Sequence, residues 1–205
     1  MSFIRWLCIL LLASIAPAAA SQSVILVLGD SLSAAHGMGE QQGWVHLLQE
    51  RLDENGYPHT VVNASVSGDT TRDALSRLDS TIERHRPDIA IVELGGNDGL
   101  RAFPIDTIDR SLSLILEKLR ENGAKIVLAG MRMPPNYGPV YTQAFEALYP
   151  RIADEFQAAL IPFFMEEVAT NPDFMQDDGI HPNAAAQPLL LDKVWPVLES
   201  LLDQP

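Results

Sequence analysis

"VILVLGDSLSAAHG", residues 24–37, runs five apolar residues directly into Gly29-Asp30-Ser31. An apolar run without polar alternation fits a strand covered on both faces, as in a parallel sheet. Ser31 then sits at the strand's tip. On this stretch alone it reads as a cap or turn former or as a nucleophile, and both readings stay open. Working outward, similar short runs fall at 60–63, 89–94, 125–129 and 159–162. Each is expected to be apolar throughout. Stretches with helical spacing lie between and after them, at 43–55, 70–85, 105–122, 140–157 and 183–202. Strands alternating with helices predict one parallel α/β sheet with helices on both faces and right-handed crossovers. In such sheets ligands sit beyond the carboxyl ends of the strands.

The N-terminus reads as a targeting signal. Arg5 precedes a short apolar core from Trp6 to Ile15, and Ala18-Ala19-Ala20 supplies a small-residue cleavage site. The expectation is a cleaved secretory peptide over 1–20, a single domain over 21–205, and a periplasmic or secreted protein. The chain carries a formal charge of −13; without residues 1–20, which hold Arg5 and the only cysteine, it carries −14. No disulfide is then possible, so stability must rest on the core, which a chain of this length can build. The acidity argues against nucleic acid or an anionic lipid surface as partner, and no stable membrane insertion is expected.

Polar clusters follow the first three strands: Gly29-Asp30-Ser31, "SVSGDT" at 65–70 and "GGND" at 95–98. A fourth, "DGIHP" at 178–182, precedes the last helix. Acyl transfer needs a serine, a base to take its proton and a third group to orient that base. Asp178 and His181, three apart across a turn, can supply the last two; Asp177 is a competing orienter, and a simple helix-capping role for the pair also stands. The oxyanion needs donors. The Gly68 backbone N–H, the Asn97 amide and the Ser31 backbone N–H are the candidates, each with an ordinary capping or turn role as the alternative. Asp30 and Asp98 are expected to brace their loops, and Glu93 to be a buried, hydrogen-bonded carboxylate. The remaining histidines show no ligand spacing, so no metal is expected. The glycines at 37, 39 and 43 miss the dinucleotide-loop spacing.

Taken together, "GDSLS", the glycine of "SGDT", "GGND" and "DGIHP" resemble, in order and spacing, the four blocks of the SGNH, or GDSL-type, hydrolases. The likeness covers essentially all of 21–205 and is nearest to the small exported bacterial thioesterase, arylesterase and lysophospholipase group. It implies a three-layer α/β/α sandwich with a flavodoxin-like, parallel five-stranded sheet. It also implies a serine esterase working through an acyl-enzyme, without cofactor. By position, Ser31, Asp178 and His181 would form the triad, and Ser31, Gly68 and Asn97 the oxyanion hole. The α/β-hydrolase elbow Gly-x-Ser-x-Gly is absent, since Leu32-Ser33 follow Ser31.

Leu100, Phe103, Met131, Met133 and Tyr137, with Tyr141, fall in loops after the third and fourth strands and are candidates for an acyl channel. The expected partner is a small ester or thioester with a short to medium acyl chain, met by a monomer. Two rival readings accompany this one. The same site could remove acetyl groups from polysaccharides. Alternatively, a flavodoxin-like sheet could hold a phosphorylated ligand at Gly29 and Ser31, against which Asp30 and Asp69 would repel the phosphate.

Overall fold

The computed structural model describes residues 23–202; the expected export signal at 1–20 lies outside the described residues. Five strands form one sheet: β1 (Ser23–Gly29), β2 (His59–Asn63), β3 (Ile89–Glu93), β4 (Lys125–Ala129) and β5 (Ala159–Ile161). All neighbouring strands are parallel, in the order β2-β1-β3-β4-β5. The chain leaves β1 toward β2 on one side and returns to β3 on the other, so the switch point lies between β1 and β3. A crevice at such a point binds ligands in open α/β sheets.

The helices are α1 (Trp44–Glu54), α2 (Thr71–His85), α3 (Gly96–Leu100), α4 (Ile105–Glu121), α5 (Pro139–Phe156) and α6 (Gln187–Glu199). One face of the sheet carries α1 packed on α6, and the other carries α2, α4 and α5 side by side. The helices are driven onto the sheet by apolar stripes. Trp44, Leu48 and Leu52 of α1, and Ile108, Leu112, Ile115 and Leu119 of α4, are fully buried. Thr70 caps α2 reciprocally: its hydroxyl accepts from the Asp73 N–H, and Asp73 Oδ2 accepts from the Thr70 N–H.

Three features depart from the sequence expectation. Strand β2 is only partly buried and ends on exposed Asn63, and β5 is half-buried over most of its length. Both are edge strands, covered less than the centre. The last helix does not begin at Asn183. There the Asn183 side chain accepts from the Ala185 N–H and caps a short 3-10 turn (Ala184–Ala186) ahead of α6. "GGND" does not stay a simple turn but opens α3, because Gly95 adopts φ of +107° and re-aims the chain. As the helical spacing of 140–157 and 183–202 implied, α5 and α6 run through Pro150 and Pro196, where tertiary packing overrides a local breaker.

Candidate active site

The loop bearing Ser31, the candidate nucleophile, is built on a close approach between β1 and β3, whose register pairs Gly29 with Glu93. A Cβ at Gly29 would lie 2.8 Å from both Glu93 Oε2 and Ser33 Oγ, so only glycine fits. Ser33 Oγ donates to Glu93 Oε2 at 2.6 Å, and Glu93 is fully buried. Burial, with the nearby Asp30 charge second, raises its pKa well above the usual carboxylate range. Asp30 is also buried. Its Oδ1 accepts from the Leu32 N–H and its Oδ2 from Asn97 Nδ2, at 3.1 and 3.0 Å. Desolvation pushes its pKa up to about 6 against the lowering effect of those hydrogen bonds. Asp98 accepts from the N–H and hydroxyl of Thr71, tying α3 to α2. Asp30 and Asp98 thus brace their loops, and Glu93 is a buried, hydrogen-bonded carboxylate, as the sequence suggested.

The candidate base, His181, arrives from residues 176–182. Asp178 Oδ1 accepts from the backbone N–H groups of Ile180 and His181, which orients its other oxygen toward the imidazole. Asp178 Oδ2 stands 2.6 Å from His181 Nδ1, and His181 Nε2 stands 3.0 Å from Ser31 Oγ. With the Nδ1 hydrogen given to Asp178, Nε2 is left to accept from the serine hydroxyl. The His181 backbone N–H, the His181 ring and the Ile180 N–H together lower the Asp178 pKa, keeping it ionised. Asp177, the competing orienter, is exposed, and Asp178 makes the contacts.

The proposed oxyanion donors lie on three loops. Asn97 Nδ2 donates to Asp30 Oδ2 and to the Asp69 carbonyl, each at 3.0 Å, which holds the amide beside Ser31 and next to the loop bearing Gly68. Among the described residues, the Ser31 and Gly68 N–H groups have no hydrogen-bond partner. Arg101 donates to the Gly68 carbonyl and so links the loops after β2 and β3.

A cavity of about 310 Å³ opens beside Ser31, Asn97 and His181. Leu100, Met131 and Met133 line it, as expected. Phe103, Tyr137 and Tyr141 do not. The Tyr137 hydroxyl donates to the Leu100 carbonyl and that of Tyr141 to the Phe103 carbonyl, so these tyrosines fasten the loop after β3 from behind. A phenol needs a partner when partly buried, and here the partner is backbone.

The GDSL-like lipase/acylhydrolase family pattern matches residues 27–188. The chain belongs to this family. Esterase TesA of Pseudomonas aeruginosa is 48% identical over 183 residues, spanning 89% of this chain and 91% of that protein. Thioesterase 1/protease 1/lysophospholipase L1 of Escherichia coli K12 is 44% identical over 185 residues, 90% and 88% of the two chains. A crystal structure of TesA superposes with a TM-score of 0.86 at 48% identity, covering 88% of this chain and all of that one.

For a GDSL-family acylhydrolase the residues missed in sequence are instructive. Phe163, Met165, Met175 and Ile180 complete the cavity wall. The signal for the first two was available: "PFFM" at 162–165 follows β5, and the carboxyl-end rule applies to every strand, not only the first four.

Proposed function

We propose that this GDSL-family acylhydrolase is a serine esterase cleaving carboxylic esters and thioesters through an acyl-enzyme. The single observation behind the reading is the relay from Asp178 through His181 to Ser31, at 2.6 and 3.0 Å, opening into an apolar cavity. Ser31 Oγ attacks the substrate carbonyl while His181 Nε2 takes its proton. The Ser31 and Gly68 N–H groups and the Asn97 amide hold the oxyanion. One Asn97 hydrogen, now engaged by Asp30 or Asp69, is then shared with it. His181 returns the proton to the departing alcohol or thiol, and water repeats the sequence to release the acid. The apolar wall of Leu100, Met131, Met133, Phe163 and Met165 suits a short to medium acyl chain. We read residues 1–20 as a cleaved export peptide and the remainder as one monomeric domain acting in the periplasm or outside the cell.

The test is hydrolysis of an aryl-ester series from acetate to palmitate by the chain from residue 21, alongside Ser31→Ala. A Ser31-dependent maximum at short to medium chains is expected. A maximum at acetate with a steep fall beyond it would favour a deacetylase, and equal rates in the variant would remove the esterase.

A further inference from the structure

We propose that Met133 and Met175 form a modification site. Oxidation of their thioethers by a peroxide closes the cavity to longer acyl chains and leaves acetyl esters to be cleaved. The inference rests on the esterase reading above and concerns the regulation of that same site. Met131, Met133, Met165 and Met175 all line the cavity beside Ser31, out of six methionines in the whole chain. The only cysteine is Cys8, inside the expected export peptide. From residue 21 onward the thioethers are therefore the side chains that a mild two-electron oxidant attacks.

The four are not equally open. Met131 and Met165 are 4% and 8% exposed, whereas Met133 and Met175 are half-buried at the cavity surface. Neither of these two can withdraw. A Cβ at Gly99 would collide with Met133 Sδ, so that sulfur is pressed against α3 and its open side is the cavity. Met175 is pinned by its backbone. Its N–H donates to the Pro172 carbonyl at 3.2 Å, its carbonyl accepts from Asn183 Nδ2 at 3.3 Å, and it pairs with Pro182 in an antiparallel bridge.

The step balances with peroxide alone. The sulfur lone pair attacks one peroxide oxygen, the O–O bond breaks, and a proton moves to the departing oxygen, which leaves as water. Sulfur loses two electrons and gains one oxygen. A polar, chiral sulfoxide then stands where a flexible apolar group stood. Leu100, Phe163 and Ile180, which share the wall, offer its oxygen no donor side chain. Arg132 is already engaged, 2.7 Å from Glu146 and 4.9 Å over the Phe163 ring. Water satisfies the oxygen while the cavity is empty. A long acyl chain displaces that water and buries an unpaired acceptor, which weakens binding about 5- to 100-fold. An acetyl group ends beside Ser31 and leaves the water in place.

The test treats the chain from residue 21, which contains every described element, with hydrogen peroxide. It compares kcat/KM on an aryl acetate and an aryl decanoate before and after, and maps the oxygen gained at each methionine by peptide mass spectrometry. Decanoate hydrolysis is expected to fall about 5- to 100-fold and acetate hydrolysis less than about twofold, in step with oxygen at Met133 and Met175. The double variant Met133→Leu with Met175→Leu, normalised to its own rate before treatment, should keep its decanoate hydrolysis. Equal losses on the two esters overturn the inference. So does an undiminished loss in the double variant, or a loss that follows oxygen at Met38, Met131 or Met165 instead. A pair of reductases covering both sulfoxide epimers should restore decanoate hydrolysis as the added oxygens disappear, and activity still missing after their removal overturns it as well. One readout needs no turnover: calorimetric binding of decanoate to Ser31→Ala should weaken by the same factor on treatment, and an unchanged affinity overturns the inference. Absence of Ser31-dependent hydrolysis before treatment would count against the esterase reading and leave this binding measurement standing.

Discussion

At the amino ends of β4 and β5 a cleft of about 740 Å³ runs between Arg120, Lys125, Asp154 and Phe156, while at the carboxyl ends the cavity beside Ser31 holds about 310 Å³. Among the described residues, the larger space is lined by no serine, cysteine or histidine. Its polar groups serve the fold: Arg120 lies 5.2 Å over the Phe156 ring and Lys125 Nζ donates to the Leu201 carbonyl. The connections at that end are tight turns that cap helices, as where the Gln157 N–H returns to carbonyls of α5. At the other end the chain has room, and the loops after β1, β2 and β3 plus residues 176–182 bring a serine, a histidine, a carboxylate, the Asn97 amide and free N–H groups together. The proposed chemistry follows the convergence of separate elements rather than the volume enclosed.

This contrast is open to attack from its strongest side first. Ser31→Ala is expected to lower kcat by about 10⁴–10⁶-fold with the fold intact, read by ester hydrolysis alongside circular dichroism. An active Ser31→Ala would move the chemistry away from the carboxyl end altogether. Asn97→Ala should lose about 10²–10³ in kcat with KM nearly unchanged, since an oxyanion donor acts in the transition state. A rise in KM alone would make Asn97 a ground-state contact. The smallest effect belongs to the amino end. Gln157 holds φ of +54° at the C-cap of α5, a conformation glycine adopts without strain. Gln157→Gly should stabilise by about 1 kcal/mol, raising Tm by about 2–4 °C while kcat stays put. A change in kcat there would show that the two ends are coupled.

Much of this was readable along the chain. The strands from Ile25 to Leu28 and from Ile89 to Val92 announced themselves because residues covered on both faces have no polar alternation to conceal them. Edge strands were less faithful: β2 and β5 have one flank open, so their apolar runs imply more burial than they have. The Asp178–His181 contact was readable because the two lie three apart in one turn, and a local hydrogen bond needs only local sequence. The cavity wall was not. Phe103 and Tyr137 have the right chemistry and the right loops, yet their side chains turn to backbone and core while Phe163 and Met165 come in from β5.

What the residues settle in one dimension is the order of elements, the placement of polar loops at strand ends, and the hydrogen-bonded Asp178–His181 pair within a single turn. These depend on periodicity and short-range hydrogen bonding. Which strands become neighbours, and so which loops meet, was decided in space. Gly29 faces Glu93 only because β3 returns to the far side of β1. That return lays Asn97 against Asp30 and sets His181 beside Ser31 across 150 residues of chain, with the His36 ring 4.3 Å from that of His181. Contacts of that separation are products of packing the whole sheet, and no window of sequence contains both partners.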